Sequence, residues 1–235
     1  MKPTGEAVAM ARHRGPNPKD PALFHSDQWA LLRNAVDDLC WLLTRGYPRQ
    51  ASLQLVGNRY NLRERQRVAV GRTSCSDRQS AERGGKSRPA GPAMAVDGFN
   101  VITTLEAALS GGVLLLCRDS AVRDMASMHG SYKRVEETPD ALGLVARCCP
   151  DSELLWYLDQ PVSNSGRLRQ MILNYAQENG LDWRVELVKD PDPILKKCEL
   201  PVITSDSAIL DEAQSWFNLA GDAVERFLPD AWVVS

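Results

Sequence analysis

Four aspartates in the sequence each follow a short apolar run of the kind that forms a buried strand. They are Asp97 after AMAV, Asp119 after VLLLCR, Asp159 after LLWYL and Asp206 after VITS. A single aspartate in this position commonly starts a turn, but the carboxyl ends of neighbouring parallel strands meet at one ligand-binding edge. Carboxylates crowded at that edge repel each other unless a hard cation such as Mg²⁺ or Mn²⁺ neutralises them. The spacing therefore predicts an acidic metal site.

The residue types around these aspartates favour an oxygen-only site. The three histidines, His13, His25 and His129, lie outside the four segments, which disfavours zinc. A divalent cation held by carboxylates can activate a water molecule and stabilise charge on a phosphate, so hydrolysis of a phosphodiester is the predicted chemistry. Gly84-Gly85-Lys86 lacks the strand and helix of a nucleotide-binding phosphate loop, so nucleotide hydrolysis is not favoured.

Strand-like and helical segments alternate through the second half of the chain. The strand-like runs are 94–101, 113–117, 154–158, 183–188, 201–204 and 231–234, and the helical segments are 103–110, 138–148, 164–179, 191–197 and 207–215. This alternation predicts an α/β fold with a mainly parallel central sheet, right-handed crossovers and helices on both faces. Such a sheet brings the aspartates together if their strands are neighbours.

Two motifs in this half resemble those of a known family. VDGFNVITTLEAAL resembles the opening strand and helix of PIN-like nucleases, nearest the NYN branch, and TSDSAILDEA resembles their late motif. The resemblance covers about residues 94–235 and implies a PIN-like three-layer sandwich with nuclease activity. The whole chain also resembles an uncharacterised two-part family, in which a helical N-terminal piece precedes such a domain.

The resemblance also implies roles for individual residues. Asp97 and Asp206 would be metal ligands supported by Asn100 and Ser205, and Asp159 would occupy the place of the mid-sheet aspartate. The catalytic set is therefore expected to be Asp97, Asp159, Asp206 and Asn100, with Mg²⁺ or Mn²⁺ as the cofactor.

Three further acidic residues have two interpretations each. Asp119 either joins the metal site or caps the helix that follows it, and Asp211 either joins the site or lies on a helix surface. Glu106 is a candidate for the carboxylate that PIN domains place on the first helix, and the helix phase leaves its direction open. The sequence does not match a family motif at Asp119.

A candidate substrate site follows Asp159. Small polar residues and a basic residue open the next helix, where free backbone N–H groups favour anions. The predicted substrate-binding residues are Ser163, Asn164, Ser165, Arg167, Ser205 and Ser207, although simple capping by Ser163 or Asn164 explains the first group equally well. The run 129–134 (HGSYKR) is interpreted as a solvated turn, with a substrate loop as the alternative.

The first part of the chain differs in charge and composition. Residues 1–94 carry 16 Lys or Arg and 8 Asp or Glu, whereas residues 95–235 carry 12 and 22. We expect a disordered tail at 1–25, a small all-helical, helix-turn-helix-like domain at 26–70, a flexible linker at 71–93 and the PIN-like domain at 94–235. The predicted nucleic-acid-binding residues, on the third helix and just before it, are Arg59, Arg63, Arg65 and Arg67.

These features predict a metal-dependent nuclease that acts on RNA in preference to DNA. The alternatives are a catalytically inactive PIN-like protein that binds nucleic acid, and a phosphatase-type hydrolase of small phosphoesters. No run of 18 apolar residues and no signal-peptide core is present, so we expect no membrane partner and a cytoplasmic location with reduced cysteines.

Overall fold

The computed structural model of the protein describes residues 15–125 and 135–235. The run 129–134 (HGSYKR), residues 1–14 of the predicted tail, and His13 and His129 lie outside these ranges. Within them, no helix combines the length and the apolar character needed to cross a membrane.

The central element is a parallel five-stranded sheet. Its strands are β1 (Ala93–Asp97), β4 (Glu153–Asp159), β5 (Trp183–Val188), β6 (Val202–Ile203) and β7 (Trp216–Phe217). They lie side by side in the order β5-β4-β1-β6-β7, with every pair parallel. The mainly parallel α/β fold predicted from the alternating segments is thereby confirmed.

Helices cover both faces of this sheet. On one face α6 (Gly98–Leu109), α7 (Thr138–Cys148), α8 (Ser165–Asn179) and α11 (Leu219–Phe227) share the largest core with strand residues such as Met94 and Val96. On the other face α9 (Asp192–Lys196) and α10 (Ser207–Glu212) pack against Ala95 and Val202. Alternate residues of β1 therefore face opposite layers, because side chains alternate along a strand.

A second, smaller sheet lies beside the first. It joins β2 (Leu114–Leu116), β3 (Val122–Asp124) and β8 (Val233–Val234) in the order β3-β2-β8. The predicted strands at 113–117 and 231–234 exist, but they pair with each other and not with the central sheet. This arrangement separates Asp119, which follows β2, from the edge at which β1, β4 and β6 end.

The N-terminal region is helical, as predicted. It contains α1 (Asp20–Leu23), α2 (Ser26–Thr44), α3 (Arg49–Arg59) and α4 (Glu64–Thr73). Its apolar side chains share one core with β2 and β8 of the smaller sheet. The helices and the α/β part are thus joined by a continuous hydrophobic core, whose burial stabilises their contact.

The prediction of a disordered tail is wrong for residues 15–25. Asp20 and Phe24 are fully buried, and Asp20 forms a two-pronged ion pair with Arg65 of α4. A buried carboxylate needs such a partner, and the arginine supplies it together with two hydrogen bonds.

The prediction of a flexible linker at 71–93 is also corrected. Ten residues of that segment form helix α5 (Asp77–Lys86), which begins with a capping box between Ser76 and Gln79. Arg83 is buried and its backbone carbonyl accepts a hydrogen bond from the Trp216 indole at 2.7 Å. The helix is stabilised by polar contacts, which explains why a segment with few large apolar residues is ordered.

Candidate functional site

The carboxyl edge of the central sheet contains the point at which the chain changes direction across the sheet. From β1 the chain proceeds to β4 and β5 on one side, and it then returns to β6 and β7 on the other. Ligands bind at such switch points in open α/β sheets. Asp97 ends β1, and Asp206 lies three residues beyond β6, so both flank this point.

Asp97 is a buried carboxyl group with one hydrogen bond. Its Oδ2 accepts from the Thr204 hydroxyl at 2.8 Å, and 8% of the residue is exposed. Burial raises the pKa of Asp97 to about 7, and the negative charges of Asp206, Asp192 and Asp159 add to the increase. No lysine or arginine within the described ranges forms an ion pair with it. The carboxyl group is therefore held in a place where its negative charge is uncompensated.

Asn100 connects the two sides of the switch point. Its Oδ1 accepts hydrogen bonds from the Ser205 backbone N–H at 2.8 Å and from the Ser205 hydroxyl at 3.0 Å. Gly98, the first residue of α6, lies close to β4, where a Cβ would meet the Leu158 side chain at 2.4 Å. The first turn of α6 and the loop after β6 are thus fixed against each other next to Asp97.

Asp206 has a structural role that accounts for one of its oxygens. Its Oδ1 caps α10 by accepting from the backbone N–H groups of Ala208 and Ile209, at 2.7 and 3.2 Å. Asp206 is half-buried, and its charge raises the pKa of Asp97. The capping alone accounts for an aspartate at this position without any ligand. The capping does not account for the effect of its negative charge on the pKa of Asp97.

Asp159 ends β4 and also contributes charge to this edge. In register Asp97 is level with Tyr157, so Asp159 lies two residues further along its strand. Burial, followed by the charges of Asp192 and Asp190, raises the pKa of Asp159. The negative charges of Asp159 and Asp206 therefore both act on Asp97 at this edge of the sheet.

Asp192 belongs to this group and was not predicted from the sequence. It is the first residue of α9, and burial followed by the charge of Asp206 raises its pKa. Asp190 and Asp192 follow β5 in the run Lys189–Asp192. An aspartate after a strand is therefore visible here in the sequence too, but Asp192 lies further from its strand end than the predicted aspartates do. We call Asp97, Asp159, Asp192 and Asp206 the acidic edge.

The chemistry of the acidic edge fits a hard divalent cation, because all of its charged donors are carboxylate oxygens. Its side chains do not form a ready cage. Across residues 15–125 and 135–235, no three His, Cys, Asp or Glu side chains are grouped so that they could hold a metal ion as they stand.

Asp119 and Asp211 do not belong to the acidic edge. Both oxygens of Asp119 are bound by arginines, at 2.6 Å from Arg83 Nη1 and at 2.9 and 2.7 Å from Arg123. Asp211 binds the same Arg83 at 2.6 Å. We call these four residues the arginine clamp. Two guanidinium groups compensate the charge of Asp119, which argues against a metal ligand, and it caps no helix because strand β3 follows it.

Glu106 also has a partner elsewhere. It is fully buried in α6, and its Oε1 accepts from the Thr138 hydroxyl of α7 at 2.6 Å. The helix phase therefore directs this carboxyl group toward α7, which answers the question that the sequence left open.

The predicted substrate loop after Asp159 divides into buried and exposed residues. Ser165 is buried and its hydroxyl donates to the Gln160 carbonyl at 3.2 Å, which is a structural contact. Ser163, Asn164 and Arg167 are exposed, and Asn164 has a left-handed backbone with φ of 68°. Ser165 is thus corrected to a structural residue, while the exposed residues remain accessible to a substrate.

A cleft of about 460 Å³ opens between the helical region and the carboxyl edge of the sheet. We call it the helix–sheet cleft. Its helical wall includes Arg49, Val68 and Arg72, and its sheet wall includes Asn100, Arg123, Ser205, Asp206 and Ser207. Of the predicted substrate-binding residues, Ser205 and Ser207 therefore line a cavity that also reaches Asp206.

The predicted basic surface of the helical region is largely used within the protein. Arg65 pairs with buried Asp20, and Arg67 donates to the Leu62 carbonyl and to Asn58. These two arginines are corrected to structural residues. Arg59 is exposed and lies 3.3 Å from Asp38, and Arg63 is exposed at the start of α4.

Comparison with known proteins gives a family without an assigned activity. Residues 31–86 match the family described as Protein of unknown function (DUF434). An uncharacterised protein of Methanocaldococcus jannaschii is 31% identical over 202 residues, which are 83% of this chain and 97% of that protein. No solved structure matches the chain. Residues 87–222, more than half of the chain, match a further description, and the chain belongs to that family, the Domain of unknown function (DUF5616).

Proposed function

We propose that this protein is a metal-dependent nuclease that hydrolyses phosphodiester bonds, with RNA as the preferred substrate. The observation that carries the proposal is the uncompensated charge of Asp97 at the switch point. A buried carboxylate that is surrounded by other carboxylates is costly unless a cation or a proton neutralises it. The resemblance of the two motifs to PIN-like nucleases supports the same interpretation, as does the parallel sheet with β1 at its centre.

The residues of the acidic edge would have different roles in this reaction. Asp97 and Asp206 would hold Mg²⁺ or Mn²⁺, with Asp159 and Asp192 beside them. When bound, such an ion lowers the pKa of a coordinated water and stabilises charge on a phosphate. The Thr204 hydroxyl orients Asp97 through the 2.8 Å bond to Oδ2, and Asn100 holds the loop that carries Thr204. Ser207 is exposed at the cleft and would meet the substrate.

The test is cleavage of end-labelled single- and double-stranded RNA by the whole chain, with Mn²⁺ and with EDTA. We expect Asp97→Asn to reduce cleavage by about 100-fold or more, because a ligand contributes at least as much as the residues that support it. Asp182→Asn is the matched control, since exposed Asp182 lies at the opposite end of the sheet, just before β5. Equal cleavage by wild type and Asp97→Asn would overturn the proposal.

Two other outcomes separate the alternatives. Salt-dependent binding of RNA without any cleavage, unchanged in Asp97→Asn, would favour a catalytically inactive nucleic-acid-binding protein. Release of phosphate from small phosphoesters in place of RNA cleavage would favour a phosphatase. As a readout independent of activity, Mn²⁺ should raise the melting temperature of the wild type and not that of Asp97→Asn.

A further inference from the structure

The helix–sheet cleft has arginines of the helical region on one wall and Asp206 on the other. Arg49 and Arg72 come from α3 and α4, while Asp206 belongs to the acidic edge. The volume of about 460 Å³ is within the range of roughly 300–1,000 Å³ that is usual for ligand sites. The cleft is therefore large enough for a ligand and is not a packing defect of the core.

The three arginines of the cleft differ in how their charge is used. Arg123 is bound to Asp119, and Arg72 donates to the Asp124 backbone carbonyl at 2.6 Å with the Asp124 carboxylate at 3.8 Å. Arg49 donates instead to two backbone carbonyls, those of Gly71 and Ser74. Among the described residues no carboxylate pairs with Arg49. It is thus the cation of this cleft whose charge is available to an anionic ligand.

The position of Arg49 matters because of the acidic edge. A polyanion that approached Asp97 and Asp206 would be repelled, unless fixed positive charge compensated part of the repulsion. Asp206 lines the same cleft as Arg49, so a ligand in the cleft is next to the acidic edge. The apolar side chains of Leu53 and Val68 on the same wall offer a surface for a sugar or a base.

We infer that the helix–sheet cleft binds the backbone of a single-stranded polynucleotide, with one phosphate on Arg49 and the adjoining segment directed toward Asp206. This inference rests on the proposed function and adds a binding site for its substrate. It gives the helical region a defined role, since α3 and α4 supply one wall of the site. Exposed Arg49 attracts the phosphates of the polyanion toward that wall.

The main test uses two substitutions that make the same change in charge. Val68→Glu adds a carboxylate inside the cleft, and Leu55→Glu adds one on α3 outside it; both side chains are exposed, at 39% and 61%. Binding of a fluorescein-labelled single-stranded RNA of mixed sequence is measured by anisotropy in EDTA. We expect Val68→Glu to weaken binding about tenfold more than Leu55→Glu. Equal affinities of the two variants would overturn the inference.

A second pair tests the arginine itself. Arg49→Gln should weaken binding and lower the slope of log affinity against log salt by about 0.7, the value for one contact to a single-stranded phosphate. Arg33→Gln is its control, because exposed Arg33 on α2 lies away from this cleft. The same slope in both variants would contradict a phosphate on Arg49. If Arg49→Gln does not fold, the Val68 and Leu55 pair decides the question.

Failure of this inference is distinguishable from failure of the proposed function. Binding is measured without metal and without cleavage, so it does not depend on Asp97 as a ligand. Cleavage that Asp97→Asn leaves unchanged, together with binding that Val68→Glu reduces, would overturn the nuclease centre and support the cleft. Loss of cleavage in Asp97→Asn with equal binding of the two glutamate variants would support the nuclease centre and overturn the binding site in the cleft.

Discussion

Asp97 and Asp119 are both nearly buried aspartates that follow a strand, yet the two regions around them are opposite in charge. Asp119 lies in the arginine clamp, where hydrogen bonds and charges from Arg123 and Arg83 outweigh burial and hold its pKa below the ordinary value. Asp97 lies at the acidic edge, where burial and neighbouring carboxylates raise its pKa to about 7. A buried acid with its own cations stabilises a fold, whereas one without them is typical of a functional site.

The largest expected effect tests the clamp. Asp119→Asn leaves Arg83 and Arg123 buried without their shared carboxylate, so the free energy of unfolding should fall by about 3 kcal/mol or more. Urea denaturation at pH 7 measures this. Asp182→Asn is the control and should change stability by less than about 0.5 kcal/mol, because its partner Arg184 is 3.9 Å away and both are exposed. A loss below about 1 kcal/mol for Asp119→Asn would remove the distinction between the two regions.

The second expected effect has the opposite sign and depends on pH. The pKa of Asp97 is about 7 in the folded protein against an ordinary value of 3.8, so the folded state binds the proton more tightly. Its contribution to stability is complete below pH 3.8 and is lost as the pH rises through about 7. Asp97→Asn should therefore be more stable than wild type at pH 8 in EDTA, by on the order of 2–4 kcal/mol.

The control for that prediction is the same comparison at pH 5, where most of the difference should disappear. Urea denaturation of both proteins at the two pH values measures it, and Mn²⁺ at pH 8 should narrow the gap by stabilising only the wild type. A variant less stable than wild type at pH 8 would show that Asp97 has a compensating partner. The two buried aspartates would then be alike.

Much of this contrast could be predicted from the sequence, and the reasons for the failures are physical. Asp97, Asp159 and Asp206 each follow an apolar run that forms a strand of the central sheet. The residues just before each aspartate therefore predicted its place at the end of a strand. The run before Asp119 has the same composition, but the pairing of β2 with β8 depends on residues more than a hundred positions apart. Local patterns do not contain such a choice between two sheets.

Two other features were missed for different reasons. Asp192 is separated from the end of β5 by residues 189–191, so it lacks the pattern of an aspartate directly after an apolar run. Helix α5 has few apolar residues, and composition therefore predicted a linker. Its capping box at Ser76 and Gln79 was a local signal for a helix start, whereas the burial of Arg83 depends on distant acidic partners.

The smallest expected effect sharpens the description of the clamp. Asp211→Asn should cost less than about 1 kcal/mol, because its side chain is 37% exposed and Arg83 keeps Asp119. In the double variant Asp119→Asn/Asp211→Asn, however, Arg83 loses both partners, so the loss should exceed the sum of the single losses. The three variants are compared with wild type by urea denaturation at pH 7. Strict additivity would mean that the two aspartates act independently, and the buried charge of Arg83 would then be compensated by groups other than these carboxylates.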